Sequence, residues 1–196
     1  MALIDPLPTD ATPELEEAFG FFTGPLGFVP NSMRIMQRRP AMVKAFSALN
    51  AAVMAGDVDP GLKRLIGHIA SRVAGCQYCM AHTVLGAERK GIAEDKLHAV
   101  WEYRTSPLFS EAERAALDFA AAAASVPNAV TPEIAQALKA YWSEGEIVEI
   151  LGVVSLFGFL NRWNDSMATP LEDEAGRLGD TYLAGHGWTR GKHEGG

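Results

Sequence analysis

Cysteine is scarce in this chain of 196 residues: there are two, and they lie together in GCQYCMAHT as Cys76 and Cys79. Two cysteines leave no framework of structural disulfides. Basic charge is short as well. Seventeen Lys and Arg stand against 24 Asp and Glu, a formal net charge of −7, without the Lys/Arg clusters that phosphate neutralisation needs. Neither nucleic acid nor an anionic membrane surface is therefore an expected partner. Long apolar runs are missing: the longest, Ile150 to Leu160, is interrupted by Gly152, Ser155 and Gly158 and is too short to span a bilayer. The opening MALIDPLPTD has neither the basic nor the apolar region of a secretory leader, so a cytoplasmic location is expected. In a reducing cytosol a CxxC pair is more often catalytic or metal-binding than a staple.

Alternating strand patterns bounded by hairpin dipeptides are also absent, whereas helix punctuation recurs throughout. The expected fold is all-α, a helical bundle formed by one domain over residues 1–196. Thr12-Pro13 opens a short first helix that gives way to a loop at Gly24-Pro25. Residues 41–55 read as a helix stopped by Gly56. Asp59-Pro60 starts the next, which runs to Ala74 with Leu62, Leu65, Ile66, Ile69 and Val73 on one side and Gly75 as its left-handed cap. Cys76 to Lys90 forms the antiparallel partner helix. Ser110 with Glu113 and Ser143 with Glu146 fit capping boxes, and Thr131-Pro132 repeats the cap-plus-proline start. The helix from Ser143 is apolar nearly all round between Ile147 and Leu160, which places it at a bundle centre or in a subunit interface. From about residue 171 the glycines predict an irregular tail, loose at its end unless Trp188 anchors it. A shift of 85 residues aligns Leu65-Ile66-Gly67 with Ile150-Leu151-Gly152, Tyr78 with Trp163, and the cysteines with Asn161 and Asn164. Two related helical-hairpin halves would explain this alignment, and so would chance.

The spacing gives the cysteines a chemistry. Both fall in a helical first turn, where unpaired backbone N–H groups favour a thiolate, and His82, three residues past Cys79, shares its face. His68 lies about 10 Å back along the preceding helix and His82 about 9 Å along its partner, so the two histidines should be level. Arg64, His68 and Arg72 form a stripe that is either a relay or a solvated face. The acid must come from elsewhere. Glu146 and Glu149 are the candidates, Glu146 being also the capping-box residue and Glu149 the stronger for a catalytic role. Asn161, Trp163, Asn164 and Asp165 line a pocket or cap a helix. Met80 rather than His follows Cys79, which excludes a c-type haem; a Cys76, Cys79, His82 and His68 zinc set is the rival reading, and the leading reading has neither metal nor cofactor.

The run from Gly27-Phe28-Val29-Pro30-Asn31 through Pro40 to the CQYC-x-x-H core resembles the carboxymuconolactone decarboxylase family, in particular its alkylhydroperoxidase D-like branch. The resemblance implies an all-helical homo-oligomer. It also implies a thiol peroxidase in which Cys79 attacks a small organic hydroperoxide, Cys76 resolves the sulfenic acid, His82 serves the proton relay and a dithiol or redoxin restores the pair. Two departures matter: His82 follows Cys79 by three residues where alkylhydroperoxidase D has four, which keeps it on the same face, and, more seriously, the relay glutamate expected twelve residues before Cys76 is Arg64 here, so His68, together with Glu149, is expected to replace it. The alternatives are a disulfide oxidoreductase or redox adaptor, a lactone decarboxylase that does not use the cysteines, and a zinc-stabilised interaction module.

Overall fold

The caps written in the sequence start the helices. In this computed structural model, which describes residues 2–195, three helices precede the cysteine hairpin: α1 (Glu16–Leu26), α2 (Asn31–Met36) and α3 (Pro40–Met54). Asp59 Oδ1 accepts the Leu62 N–H at 2.8 Å and Pro60 takes the first helical position of α4 (Pro60–Ala74). Gly75, at φ +73°, ends α4 in the left-handed conformation, and Cys76 is already the N-cap of α5 (Gln77–Arg89). The hairpin is therefore joined through Gly75 and Cys76 alone. A short α6 (Glu94–His98) follows. Both expected capping boxes are present, Ser110 with Glu113 at the head of α7 (Glu111–Ala124) and Ser143 with Glu146 at the head of α9 (Glu144–Met167). Thr131 caps α8 (Pro132–Lys139) between them. No strand occurs among the described residues, so the all-α expectation holds.

Packing is organised around α4, which contacts α5, α7 and α9. Its close approach to α9 depends on Gly67: a Cβ there would lie 2.4 Å from the Phe157 ring. Leu65, Ile66, Ile69, Val84, Leu85, Val153 and Phe157 belong to this main core, while Leu15, Phe19, Phe22, Met33 and Phe46 form a second cluster that meets α9 at Leu156. The α9 helix buries Ile150, Val153 and Phe157, yet leaves Val148 71%, Leu151 44% and Phe159 41% exposed. No helix among the described residues is long and apolar enough to cross a membrane.

Two expectations fail. Gly24-Pro25 does not break α1, because Pro25 falls in the last turn and the helix ends two residues later at Gly27, φ +73°. The segment after residue 171 is not irregular: it forms α10 (Asp173–Tyr182), packed on α5, followed by two short 3-10 turns. Its glycines are packing sites. A Cβ on Gly179 would meet the Trp188 ring at 2.4 Å, and one on Gly176 would meet the Arg190 guanidinium at 2.9 Å. Trp188 is buried and donates from Nε1 to the Gln77 carbonyl at 3.0 Å, which ties the end of the chain to the first turn of α5.

Candidate active site

The first turn of α5 sets the two sulfurs in different positions. Cys76 Sγ accepts the Cys79 backbone N–H at 3.4 Å, the place that Ser or Asp holds in an ordinary N-cap. Both thiols are free and buried. Cys79, and not Cys76, lines a cavity of about 370 Å³ walled by Phe21, Phe22, Phe46, Met54, Phe157 and Leu160. From α9, Asn164 Nδ2 donates to Cys79 Sγ at 3.4 Å, while its Oδ1 has no partner among the described residues. The expected low-pKa thiolate at Cys79 is not what this environment produces. Burial pushes the Cys79 thiol well up and the adjacent Cys76 sulfur adds to it, with the Asn164 bond only partly offsetting them. Cys79 therefore rests as a neutral thiol, and the first-turn N–H is bonded to the Cys76 sulfur instead.

His82 lines the same cavity but meets an acid that the sequence reading did not anticipate. Its Nε2 lies 2.9 Å from Glu172 Oε2, an ion-pair contact without hydrogen-bond alignment, and its Nδ1 lies 2.9 Å from the Tyr78 carbonyl. A carbonyl and a carboxylate are both acceptors, so each ring nitrogen of His82 faces an acceptor. Tyr78 stacks on the imidazole with centroids 4.1 Å apart, and its hydroxyl donates to Glu172 Oε1 at 3.0 Å. The Asn31 backbone N–H donates to the same oxygen. Burial raises the Glu172 carboxyl, but the His82 charge and the donated hydrogen bonds outweigh it, and the net direction is down. Glu172 immediately precedes α10, in the stretch read as tail. The only signal for it was the acid-rich Glu172-Asp173-Glu174 after Pro170, an ordinary helix start.

The other candidates lie apart from this cluster. His68 is level with His82, as the hairpin geometry requires, but its Nδ1 faces Thr83 Oγ1 at 3.1 Å and its ring meets Trp101 edge-on. Burial and the charge of Arg72 bring it to about 4, a neutral ring that does not line the cavity. Glu149 takes its place at the base of the bundle, 2.8 Å from the buried Lys63 ammonium and accepting the Asp57 and Val58 N–H groups at 3.0 and 3.1 Å. These bonds engage both of its oxygens in holding the turn before α4, so the structure brings neither His68 nor Glu149 to the cysteines as a relay. Cys76, Cys79, His82 and His68 likewise do not converge as metal ligands, and no group of three or more His, Cys, Asp or Glu among the described residues is arranged to hold a metal ion. Arg64 does reach the cavity. His193, which the sequence left without a role, is buried and lies 2.8 Å from the Thr169 carbonyl behind Tyr78.

Comparison with known proteins gives the same neighbourhood. Over 116 residues, 59% of this chain and 63% of the other's length, the sequence is 33% identical to the Escherichia coli K12 protein YnjA, so the match spans under two thirds of that relative. A crystal structure of a cysteine-to-alanine variant of the debrominase Bmp8, in complex with 2,3,4-tribromopyrrole, superposes with a TM-score of 0.88 at 34% identity, covering 93% of this chain and 98% of that one. The alkylhydroperoxidase AhpD core of a peroxidase-related protein from Ralstonia eutropha JMP134 shares the fold, with a TM-score of 0.71 at 22% identity over 89% and 96% of the two chains. Residues 40–123, from α3 through α7 with the cysteine pair between, match the family model for carboxymuconolactone decarboxylases. With its all-helical fold and its CxxC turn, the chain belongs to the carboxymuconolactone decarboxylase family.

Proposed function

We propose that the protein is a dithiol reductase for a small organic electrophile, in which Cys79 attacks and Cys76 resolves. One observation carries this reading: Cys79 lines an apolar cavity while Cys76, one turn away, does not, so a substrate meets one sulfur with the second behind it. With an aryl halide, the Cys79 thiol takes the halogen and the ring carbon takes the proton. Cys76 then displaces halide, leaving a disulfide, the dehalogenated arene and hydrogen halide. With an organic hydroperoxide, the same thiol takes the terminal oxygen to give a sulfenic acid and an alcohol, and Cys76 closes the disulfide with loss of water. An external dithiol or redoxin reopens it in either case.

The ring-sized cavity with its aromatic wall, together with the likeness to the debrominase, favours a halogenated aromatic as the electrophile. Hydroperoxide reduction is the second reading, supported by the same dithiol. Asn164 would stabilise charge on Cys79 sulfur as it forms, and the His82–Glu172 pair would hold a proton at the cavity wall. The test is rapid mixing of the reduced protein with a bromophenol and, separately, with cumene hydroperoxide, following loss of both thiols and release of bromide. Thiol loss with bromide release, abolished in Cys79→Ser, is the expected result. Rapid thiol loss with hydroperoxide alone would replace the leading substrate with the second, and turnover surviving a double Cys→Ser variant would sink both.

A further inference from the structure

Arg64 projects from α4 across α5 to the cavity, and its side chain lies directly against Gly86 on the way. A Cβ on Gly86 would lie 2.9 Å from both Cδ and Nε of Arg64. Arg64 is half-buried and its guanidinium has no partner among the described residues: Nε is fully shielded and unbonded, and burial pulls the group below its ordinary value with no carboxylate offsetting it. A partly desolvated cation without a counter-ion is held at a cost, and an anion entering the cavity would relieve it. The cavity repeats this one-sidedness. Its lining includes Arg64, Lys90 and His82 but no Asp or Glu among the described residues. The nearest acid in the site, Glu172, is occupied by His82, Tyr78 and Asn31 and does not reach Arg64's place in the wall.

Resting on the dithiol reading above, we infer that the substrate is bound as an anion, an aromatic carrying an ionised hydroxyl, ring nitrogen or carboxylate, whose charge sits against Arg64 while its electrophilic atom faces Cys79. Arg64 is then the residue that selects acidic aromatics over neutral ones. Its planar fork suits an oxyanion or a ring-nitrogen anion lying in the plane of an aromatic substrate. The Phe-lined wall holds the ring, and Lys90 at the exposed end adds to the attraction for an incoming anion.

The probes are 2,4,6-tribromophenol and its methyl ether, which share ring and halogens and differ in the ionisable group. Affinities are measured in a Cys79→Ser background, where no turnover occurs, with and without Arg64→Met, Arg64→Lys and Gly86→Ala. The ionised phenol should bind about tenfold or more tightly than the ether. Arg64→Met should erase that preference while changing ether affinity little, Arg64→Lys should keep part of it, and Gly86→Ala, which crowds the guanidinium with its charge intact, should reduce it. Affinity for the phenol should also fall as pH drops through the phenol's own pKa. Equal affinity for the two ligands, or equal losses for both in Arg64→Met, would overturn the inference. Thiol loss in the wild-type protein is followed in parallel. Anion preference without any thiol oxidation would refute the reductase reading and leave the anion site standing, whereas thiol oxidation without anion preference would do the reverse.

Discussion

Asn164 and Cys79, 85 residues apart in sequence, touch through an amide N–H aimed at the sulfur at 3.4 Å. They are the positions that the 85-residue shift aligns, and among the described residues the contact is the one side-chain donor supporting negative charge on a sulfur otherwise held neutral by burial. Replacing Asn164 with Leu keeps the volume and removes the donor. Alkylation of Cys79 by iodoacetamide should slow by about three- to tenfold. In the wild type its rate should keep climbing as pH rises past the ordinary thiol value, because the folded-state pKa is raised and the thiolate appears only at higher pH. A plateau at or below the ordinary value would contradict this environment.

Glu172 should matter to the chemistry and to acid stability together. Glu172→Gln keeps the shape but leaves His82 facing an amide, and turnover should fall by about tenfold or more. The wild-type carboxyl titrates below its ordinary value. Its stabilising contribution is therefore present above the unfolded carboxylate value and is lost as pH falls through the folded one. Urea melts across that acid range should show a slope in the wild type that is reduced in the variant.

Glu149→Gln should behave differently. Lys63 is fully buried, and the variant leaves its ammonium hydrogen-bonded but without a counter-charge, at a cost on the order of 3 kcal/mol. The Lys63 hydrogen bond and the Asp57 N–H hold the Glu149 carboxyl at about 2, so this contribution disappears as pH falls from the ordinary carboxylate value toward about 2. Thiol oxidation at neutral pH should be unchanged. A tenfold loss of activity in protein that remains folded would restore Glu149 to the reaction.

His68 supplies the matching control. Its ring is buried neutral at about 4, so folding stability falls as pH drops from the ordinary histidine value toward that point, where the unfolded chain binds the extra proton first. His68→Leu should flatten that part of the stability curve and leave the pH profile of thiol loss where it was. A shifted profile would make His68 part of the relay after all.

Gly67→Ala tests the packing that sets the site. The added Cβ would collide with the Phe157 ring, itself part of the cavity wall, and should cost about 1–3 kcal/mol in a thermal melt. An unchanged melting temperature would mean that α4 and α9 can separate freely.

The sequence was most readable where a local rule acts alone. Asp59-Pro60, Ser110 with Glu113 and Ser143 with Glu146 announce helix starts because a cap satisfies its own backbone within three residues, and each stands where expected. The pairing of α4 with α5 followed from Gly75 in the same way. Glu172 was missed because its partners, Asn31, Tyr78 and His82, are distant in sequence, and no spacing rule connects them. The glycines of α10 misled because glycine has two uses: Gly176 and Gly179 are absent side chains that admit Arg190 and Trp188, not points of backbone freedom. The Cys79 thiolate failed for a third reason. Position in a first turn is a property of the chain, whereas desolvation belongs to the assembled fold.

Because Glu172 and Trp188 come from the segment that packs onto α5 last in chain order, the cysteine turn is synthesised long before the residues that cover and pair it. During that interval His82 and Tyr78 beside the cysteine pair lack their carboxylate partner. Docking of α10 thus brings Glu172 to His82 and Tyr78, and Trp188 to the first turn of α5, after both thiols have been made.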